Sequence, residues 1–92
     1  MDRDWDEVAG AVYSVLASLP RVRGTRWMGR HVVKISVHEL RRRLRRRGVK
    51  VSYTAVALAV RILESRGLVR VLERRHSGVN RHTIYSIEIP RG

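Results

Sequence analysis

The sequence predicts a small α+β domain made of three helices and a small antiparallel sheet. Three segments repeat apolar residues at helical spacing, and each begins with a residue that can cap a helix. After Gly67 apolar and polar residues alternate around one cluster of turn-forming residues, which is the pattern of a two-stranded hairpin. Because 92 residues suffice for one domain, we treat residues 1–92 as a single folded unit.

The first helix is predicted over about residues 4–19. Asp4 or Asp6 can cap its N-terminus, where acidic groups also interact favourably with the helix dipole, and Pro20 follows its end. Its apolar stripe contains five residues: Val8, Val12, Val15, Leu16 and Leu19.

A basic loop over residues 21–31 and a strand over about 32–35 follow. The loop has two glycines and four arginines, which are Arg21, Arg23, Arg26 and Arg30. Trp27 is expected to pack against the core or its rim. The strand is predicted from a β-branched run that ends at Ser36.

The second helix, about residues 37–47, begins with a capping box. Ser36 can accept from the backbone N–H of Glu39, and the Glu39 carboxylate can reach back to the backbone N–H of Ser36. Gly48 is expected to end the helix in the left-handed conformation. Three apolar residues face inward (Val37, Leu40 and Leu44), and six arginines cover much of the remaining surface.

The third helix, about residues 53–66, starts after a cap at Ser52 and ends before Gly67. If Leu63 is in the core, the buried stripe is Val56, Ala59, Val60 and Leu63. A different rotation would bury Ala55, Leu58, Ala59 and Ile62. The first rotation leaves Leu58 and Ile62 on an unusually apolar outer face. That face would then make few specific polar contacts, or it would pack against a partner subunit.

The last segment, about residues 68–89, is predicted to form a hairpin. One strand ends near Glu73, Ser77 and Gly78 lie near the tip of the turn, and the second strand is followed by Pro90. Basic and polar residues crowd the turn: Arg74, Arg75, His76, Asn80, Arg81 and His82. The order along the chain is therefore helix, strand, helix, helix, strand, long turn, strand.

The charge of the chain predicts a polyanionic partner. Lys and Arg number 20 against 8 Asp and Glu, which gives a formal net charge of +12. Residues 21–50 hold most of this excess, whereas residues 1–20 are acidic. The absence of cysteine excludes disulfides and thiolate sites, and the high ratio of arginine to lysine leans toward a thermophile. No apolar run approaches the ~20 residues that span a bilayer, so we expect no membrane association and a cytoplasmic, nucleoid-associated location.

The segment that most resembles a known family is residues 51–89, which read VSYTAVALAVRILESRGLVRVLERRHSGVNRHTIYSIEI. It is similar to the winged-helix (winged helix-turn-helix) family of DNA-binding domains, and among them to small archaeal and bacterial regulators of the MarR-like type. The corner motif is Leu63-Glu64-Ser65-Arg66-Gly67-Leu68-Val69. The resemblance covers nearly the whole chain and implies that the third helix is a recognition helix and the hairpin a wing.

Three groups of residues are candidates for contacting nucleic acid. The recognition-helix group, which would face base edges, is Ser52, Tyr53, Thr54 and Arg61. The wing group, which would lie over the phosphate backbone or enter the minor groove, is Arg74, Arg75, His76, Asn80 and Arg81. The group expected to position phosphates is Arg42, Arg45, Arg46 and Lys50.

These observations predict a double-stranded DNA-binding protein, either a transcription regulator or a chromosome-associated protein, that acts as a homodimer. Two alternatives stay open: an RNA-binding or ribosome-associated winged helix, and a winged helix that mediates protein interactions in a larger complex. We expect no enzymatic activity, no metal and no cofactor, because the four histidines show no convincing metal-ligand spacing.

Overall fold

The computed structural model describes residues 4–23, 27, 29–76 and 83–90. Within them lie the helices α1 (Trp5–Ser18), α2 (Val37–Arg46) and α3 (Tyr53–Ser65). The strands are β1 (Val32–Ser36), β2 (Arg70–His76) and β3 (Thr83–Glu88). The predicted α+β class with three helices and a small antiparallel sheet is therefore confirmed. None of these three helices combines the length and apolar character needed to cross a membrane.

The sheet is antiparallel, and its strands lie in the order β1-β3-β2. β3 is central, so that Ile87 lies opposite Val33 on one side and Val71 on the other. The order of the strands in the sheet differs from their predicted order along the chain. The last strand along the chain, β3, lies between the two earlier strands, because its apolar side chains complete the buried face of both neighbours.

β2 extends further than predicted. Arg74, Arg75 and His76 were expected in the turn, but they belong to the strand and lie opposite Tyr85, Ile84 and Thr83, respectively. β2 is an edge strand with a β-bulge between Val71 and Glu73. An edge strand readily carries charged side chains, so backbone pairing continues where side-chain polarity predicted a turn.

The core lies between the helices and one face of the sheet. The predicted stripe of α1 is buried, and α2 contributes Leu40 and Leu44, both fully buried. The buried residues of α3 are Ala55, Val56, Ala59, Val60 and Leu63. The alternative rotation of α3 is wrong because Leu58 is 42% exposed. Burying Leu58 would rotate α3 so that Leu63, which now packs in the core, faced solvent.

Local capping fixes where α2 and α3 begin and end. The Ser36 and Ser52 hydroxyls accept from the backbone N–H groups of Glu39 and Ala55, at 3.0 and 3.1 Å. Gly48 and Gly67, at φ +82° and +73°, end the two helices in the left-handed conformation predicted for them. The second half of the capping box is not formed as predicted, because the Glu39 carboxylate turns toward Arg42 and Arg43.

Candidate nucleic-acid interface

Helix α2 presents its arginines on three different surfaces. The inner face of α2 is apolar, so its arginines lie on the other faces. Residues three or four positions apart share one face. On the flank toward α1, the Arg47 guanidinium donates to the Ser14 hydroxyl at 2.8 Å. On the flank toward α3, Arg41 donates from Nε to the Val51 carbonyl at 2.8 Å. The surface between these flanks carries Arg42, Arg45 and Arg46, which are exposed.

Only some of the predicted phosphate-positioning residues lack a carboxylate neighbour. Glu39 lies 3.4 Å from Arg42 Nη2 and 3.0 Å from Arg43 Nε, so Arg42 is partly neutralised within the helix. In the part of the chain that the structure describes, Arg45 and Arg46 have no carboxylate partner. Lys50 is exposed and lines a shallow groove with acidic residues of α1. The structure thus separates four residues that the sequence grouped together.

The first turn of α3 is held by a cluster that joins it to α2. Tyr53 is 44% exposed, and its hydroxyl is hydrogen-bonded to His38 Nδ1 at 2.8 Å. The two rings stack at 5.9 Å between centroids, and the Arg41 guanidinium lies 4.6 Å from the Tyr53 ring centroid. Cation–π and stacking contacts of this kind restrict the orientation of the tyrosine. His38 and Arg41 were missed as site residues, although their spacing of three places them on one flank of α2.

The exposed face of α3 offers few polar groups. Thr54, Leu58 and Arg61 share this face through spacings of four and three, and all three are exposed. The Ser52 oxygen caps the helix, which leaves its O–H free to donate. Ile62 is half-buried against the core. Leu58 therefore makes the outer face partly apolar as predicted, whereas Ile62, which the sequence also placed on or near that face, packs against the core.

An ion pair links α3 to the hairpin. Arg74 of β2 donates from Nη2 to Glu64 Oε1 of α3 at 2.7 Å. The Arg74 guanidinium also interacts with Tyr85, where burial raises the pKa of the phenol above its ordinary value, while the charges of Arg74 and Arg61 oppose that rise. Arg74 therefore fixes the hairpin against α3 and is not a freely available cation.

The other predicted wing residues fall into two groups. Arg75 is exposed and lacks a carboxylate partner among the described residues, and His76 is exposed with Nδ1 3.0 Å from the Thr83 hydroxyl. Asn80 and Arg81 lie outside the described residues, as does His82.

The basic loop does not supply a uniform set of cations. Arg30 binds Glu88 through two hydrogen bonds, of 2.9 Å from Nε and 2.6 Å from Nη2. The side chain of Arg30 also lies 5.7 Å from the centroid of Trp27, which is half-buried. Hydrogen bonding from Arg30 lowers the pKa of Glu88 from its ordinary value, and the charges of Arg30 and Arg70 lower it further against an opposing effect of burial.

Taken together, the described residues place exposed positive charge on α2, the outer face of α3 and the end of β2. Four exposed arginines there have neither a carboxylate partner nor a side-chain hydrogen bond among the described residues: Arg45, Arg46, Arg61 and Arg75. The same described residues contain no cluster of three or more His, Asp or Glu that could hold a metal ion. Comparison of the chain with protein-family models, with curated proteins and with solved structures gives no match.

Proposed function

We propose that the chain is a winged helix-turn-helix protein that binds double-stranded DNA, as a transcription regulator or a chromosome-associated protein. One observation carries the proposal: the exposed arginines of α2, α3 and β2 include four that no described carboxylate neutralises. The group comprises Arg45, Arg46, Arg61 and Arg75. Exposed cations without internal partners are available to replace the counterions that surround a duplex.

The local architecture supports the helix-turn-helix part of the proposal. α2 and α3 are joined by six residues, which begin with a tight turn at Gly48 and end at the Ser52 cap. The Tyr53 cluster fixes the first turn of α3 against α2, and the Arg74–Glu64 pair fixes the hairpin against α3. Helix, turn, helix and hairpin are therefore held as one unit, as a rigid DNA-binding surface requires.

In this proposal α3 enters the major groove and its neighbours bind the backbone. Arg61 and Thr54 are the side chains suited to base edges, and Leu58 can contact a thymine methyl group. Arg45 and Arg46 of α2 and Arg75 of β2 would bind phosphates on either side. With so few hydrogen-bonding groups on α3, most of the affinity comes from phosphate contacts and base specificity is modest.

Charge reversal tests the geometry. We expect the double variant Arg45→Glu/Arg46→Glu to bind a duplex much more weakly. The slope of log K against log salt should also become shallower by about 1.8, because each of the two lost phosphate contacts contributes about 0.9. The matched control is Arg21→Glu/Arg23→Glu, which makes the same change of charge at two exposed arginines before β1. Fluorescence anisotropy measures both. Equal losses in the two variants would mean that net charge alone drives binding, and would contradict the proposed surface.

The exposed apolar side chain of α3 supports a second candidate function. Leu58 is 42% exposed at the centre of the outer face, where a partner subunit could cover it instead of DNA. We therefore propose homodimerisation or protein interaction through this face as the alternative. Light scattering of the wild-type chain and of Leu58→Ser tests the homodimer: a dimer that dissociates in the variant supports homodimerisation through this face, and a monomer in both contradicts it.

RNA binding is the remaining alternative, and it has no separate structural support. Titration with duplex DNA, single-stranded DNA and structured RNA of equal length tests it. A clear preference for structured RNA at equal salt would contradict the DNA proposal.

A further inference from the structure

A cavity of about 220 Å³ lies where β1 begins and β3 ends. It is formed by residues 29–31, residues 88–90 and Arg21. Arg75 pairs with Ile84 toward the opposite end of β3, so the cavity is well separated from the part of β2 that carries Arg75. About four residues of strand divide Glu88 from the partner of Arg75, which corresponds to roughly 13 Å. The cavity therefore forms no part of the proposed DNA surface.

Arg30 is held rigidly at the wall of this cavity. Its Nε and Nη2 atoms donate to the two carboxylate oxygens of Glu88, and its guanidinium lies against the Trp27 ring. A guanidinium has five N–H donors, so this bidentate pair leaves Nη1 and one hydrogen of Nη2 for another acceptor. A donor fixed in this way loses little conformational freedom when it binds a ligand.

His31 contributes a polar atom that the protein leaves unsatisfied. Its Nε2 is buried and has no hydrogen-bond partner among the described residues, whereas its backbone carbonyl accepts from the Ile89 N–H at 2.9 Å. Buried polar atoms in folded proteins are nearly always paired, so a ligand that turned this ring toward the cavity would satisfy an atom that the described residues leave unpaired. The Nε2–H tautomer can donate to an acceptor oxygen.

The charge around the cavity favours an anion. Arg21 is exposed and has no carboxylate partner among the described residues. The one carboxylate in the wall, Glu88, is already shared by Arg30 and by Arg70, whose Nη1 lies 3.7 Å from Oε1. The positive groups thus outnumber the negative one.

We propose that this cavity binds a small free molecule that carries a carboxylate or phosphate group. Arg21 and Arg30 would bind the oxyanion, and a rotation of the His31 ring would let its Nε2 donate the third hydrogen bond. The volume corresponds to about seven water molecules at ~30 Å³ each, which suits a small metabolite and not a drug-sized ligand. Binding here does not depend on whether the chain binds DNA.

Titration of the 92-residue chain with inorganic phosphate and, separately, with acetate tests the proposal. The readouts are the His31 Nε2 and Ile89 amide signals in NMR spectra. We expect saturable changes at both positions, with a dissociation constant in about the millimolar range, for at least one of the two anions. In Arg21→Gln the affinity should fall about tenfold, because one charge-assisted hydrogen bond is lost. The matched control is Arg45→Gln, which removes the same charge from α2 and should titrate as the wild type does.

Three results would overturn the proposal. The first is the absence of saturable change at His31 and Ile89 with either anion. The second is equal weakening in Arg21→Gln and Arg45→Gln, which would mean diffuse ion binding to the basic surface. The third is a change at His31 that appears with duplex DNA but not with the free anions, which would assign the cavity to a nucleic-acid phosphate. A His31→Gln variant gives an independent check, since it should also bind more weakly while the amide spectrum elsewhere is retained.

Discussion

Replacing Glu39 by glutamine should strengthen DNA binding, even though it removes two ion pairs. Glu39 contacts Arg42 at 3.4 Å and Arg43 at 3.0 Å, and the side chains of both arginines are about half exposed, at 55% and 42%. Without the carboxylate, Arg42 becomes available beside Arg45 and Arg46 on the outer surface of α2. One additional phosphate contact would steepen the salt dependence of log K by about 0.9. Between 50 and 200 mM salt, this corresponds to a three- to fourfold larger loss of affinity.

The cost to stability should be small. Exposed ion pairs contribute about 0.2–1 kcal/mol each, and a carboxylate in the first turn of a helix contributes about 0.3–1 kcal/mol through the helix dipole. Glu39→Gln should therefore lower the free energy of unfolding by about 1–3 kcal/mol, which leaves most of the chain folded at a stability in the usual range of about 5–15 kcal/mol. Urea unfolding, run in parallel with the binding assay, checks this.

Fluorescence anisotropy with one labelled duplex at several salt concentrations measures the predicted change in slope. The control is Asp6→Asn, which also removes one carboxylate in a first helical turn and releases one arginine, Arg66. That pair lies at the C-terminal end of α3, about 20 Å from Ser52 at 1.5 Å per residue. If Glu39→Gln and Asp6→Asn change the slope and the affinity equally, the assignment of the α2 surface to DNA is wrong.

Two further predictions concern the fold. Gly48→Ala and Gly67→Ala should each lower the free energy of unfolding by about 1–2 kcal/mol, because both glycines have positive φ. Gly10→Ala should instead raise the free energy of unfolding by about 1 kcal/mol, since nothing lies within 4 Å of an added Cβ in α1. Urea unfolding measures all three variants, and a change of the same sign in all three would contradict this. The pKa of Glu88 is lowered in the folded state mainly by Arg30, so its stabilising contribution is present at neutral pH and is lost as the pH falls below the ordinary glutamate pKa and through the folded-state value. Glu88→Gln should be less stable than the wild type at neutral pH and should lose less stability on acidification. If the free energy of unfolding depends on pH in the same way in both proteins, that prediction is refuted.

The sequence predicted best the features that are determined locally. Ser36, Ser52, Gly48 and Gly67 define the ends of α2 and α3 through contacts within about five residues, so the capping pattern was sufficient to locate them. The full extent of β2 was missed because its last residues are held by pairing with β3 and not by their own alternation. Strand pairing depends on distant partners that no local pattern reveals.

The sequence predicted which segments carry the basic residues of the candidate site, but not which of these residues form ion pairs. The sequence identified a basic α2, a partly apolar α3 and a basic hairpin, because each of these is visible in a single segment. It did not reveal that Arg74 is paired with Glu64, or that Arg30 is paired with Glu88, 58 positions away. Such pairs decide which cations are available, and they form only when the sheet and helices assemble.

The central claim is tested most directly by the salt dependence of binding to duplex DNA. If the three arginines proposed to bind phosphates, Arg45, Arg46 and Arg75, each replace a counterion, log K should fall against log salt with a slope of about −2.7, at about −0.9 per phosphate. The same titration with structured RNA should show weaker binding at every salt concentration. A slope near zero with duplex DNA, or tighter binding to the RNA throughout, would contradict the account.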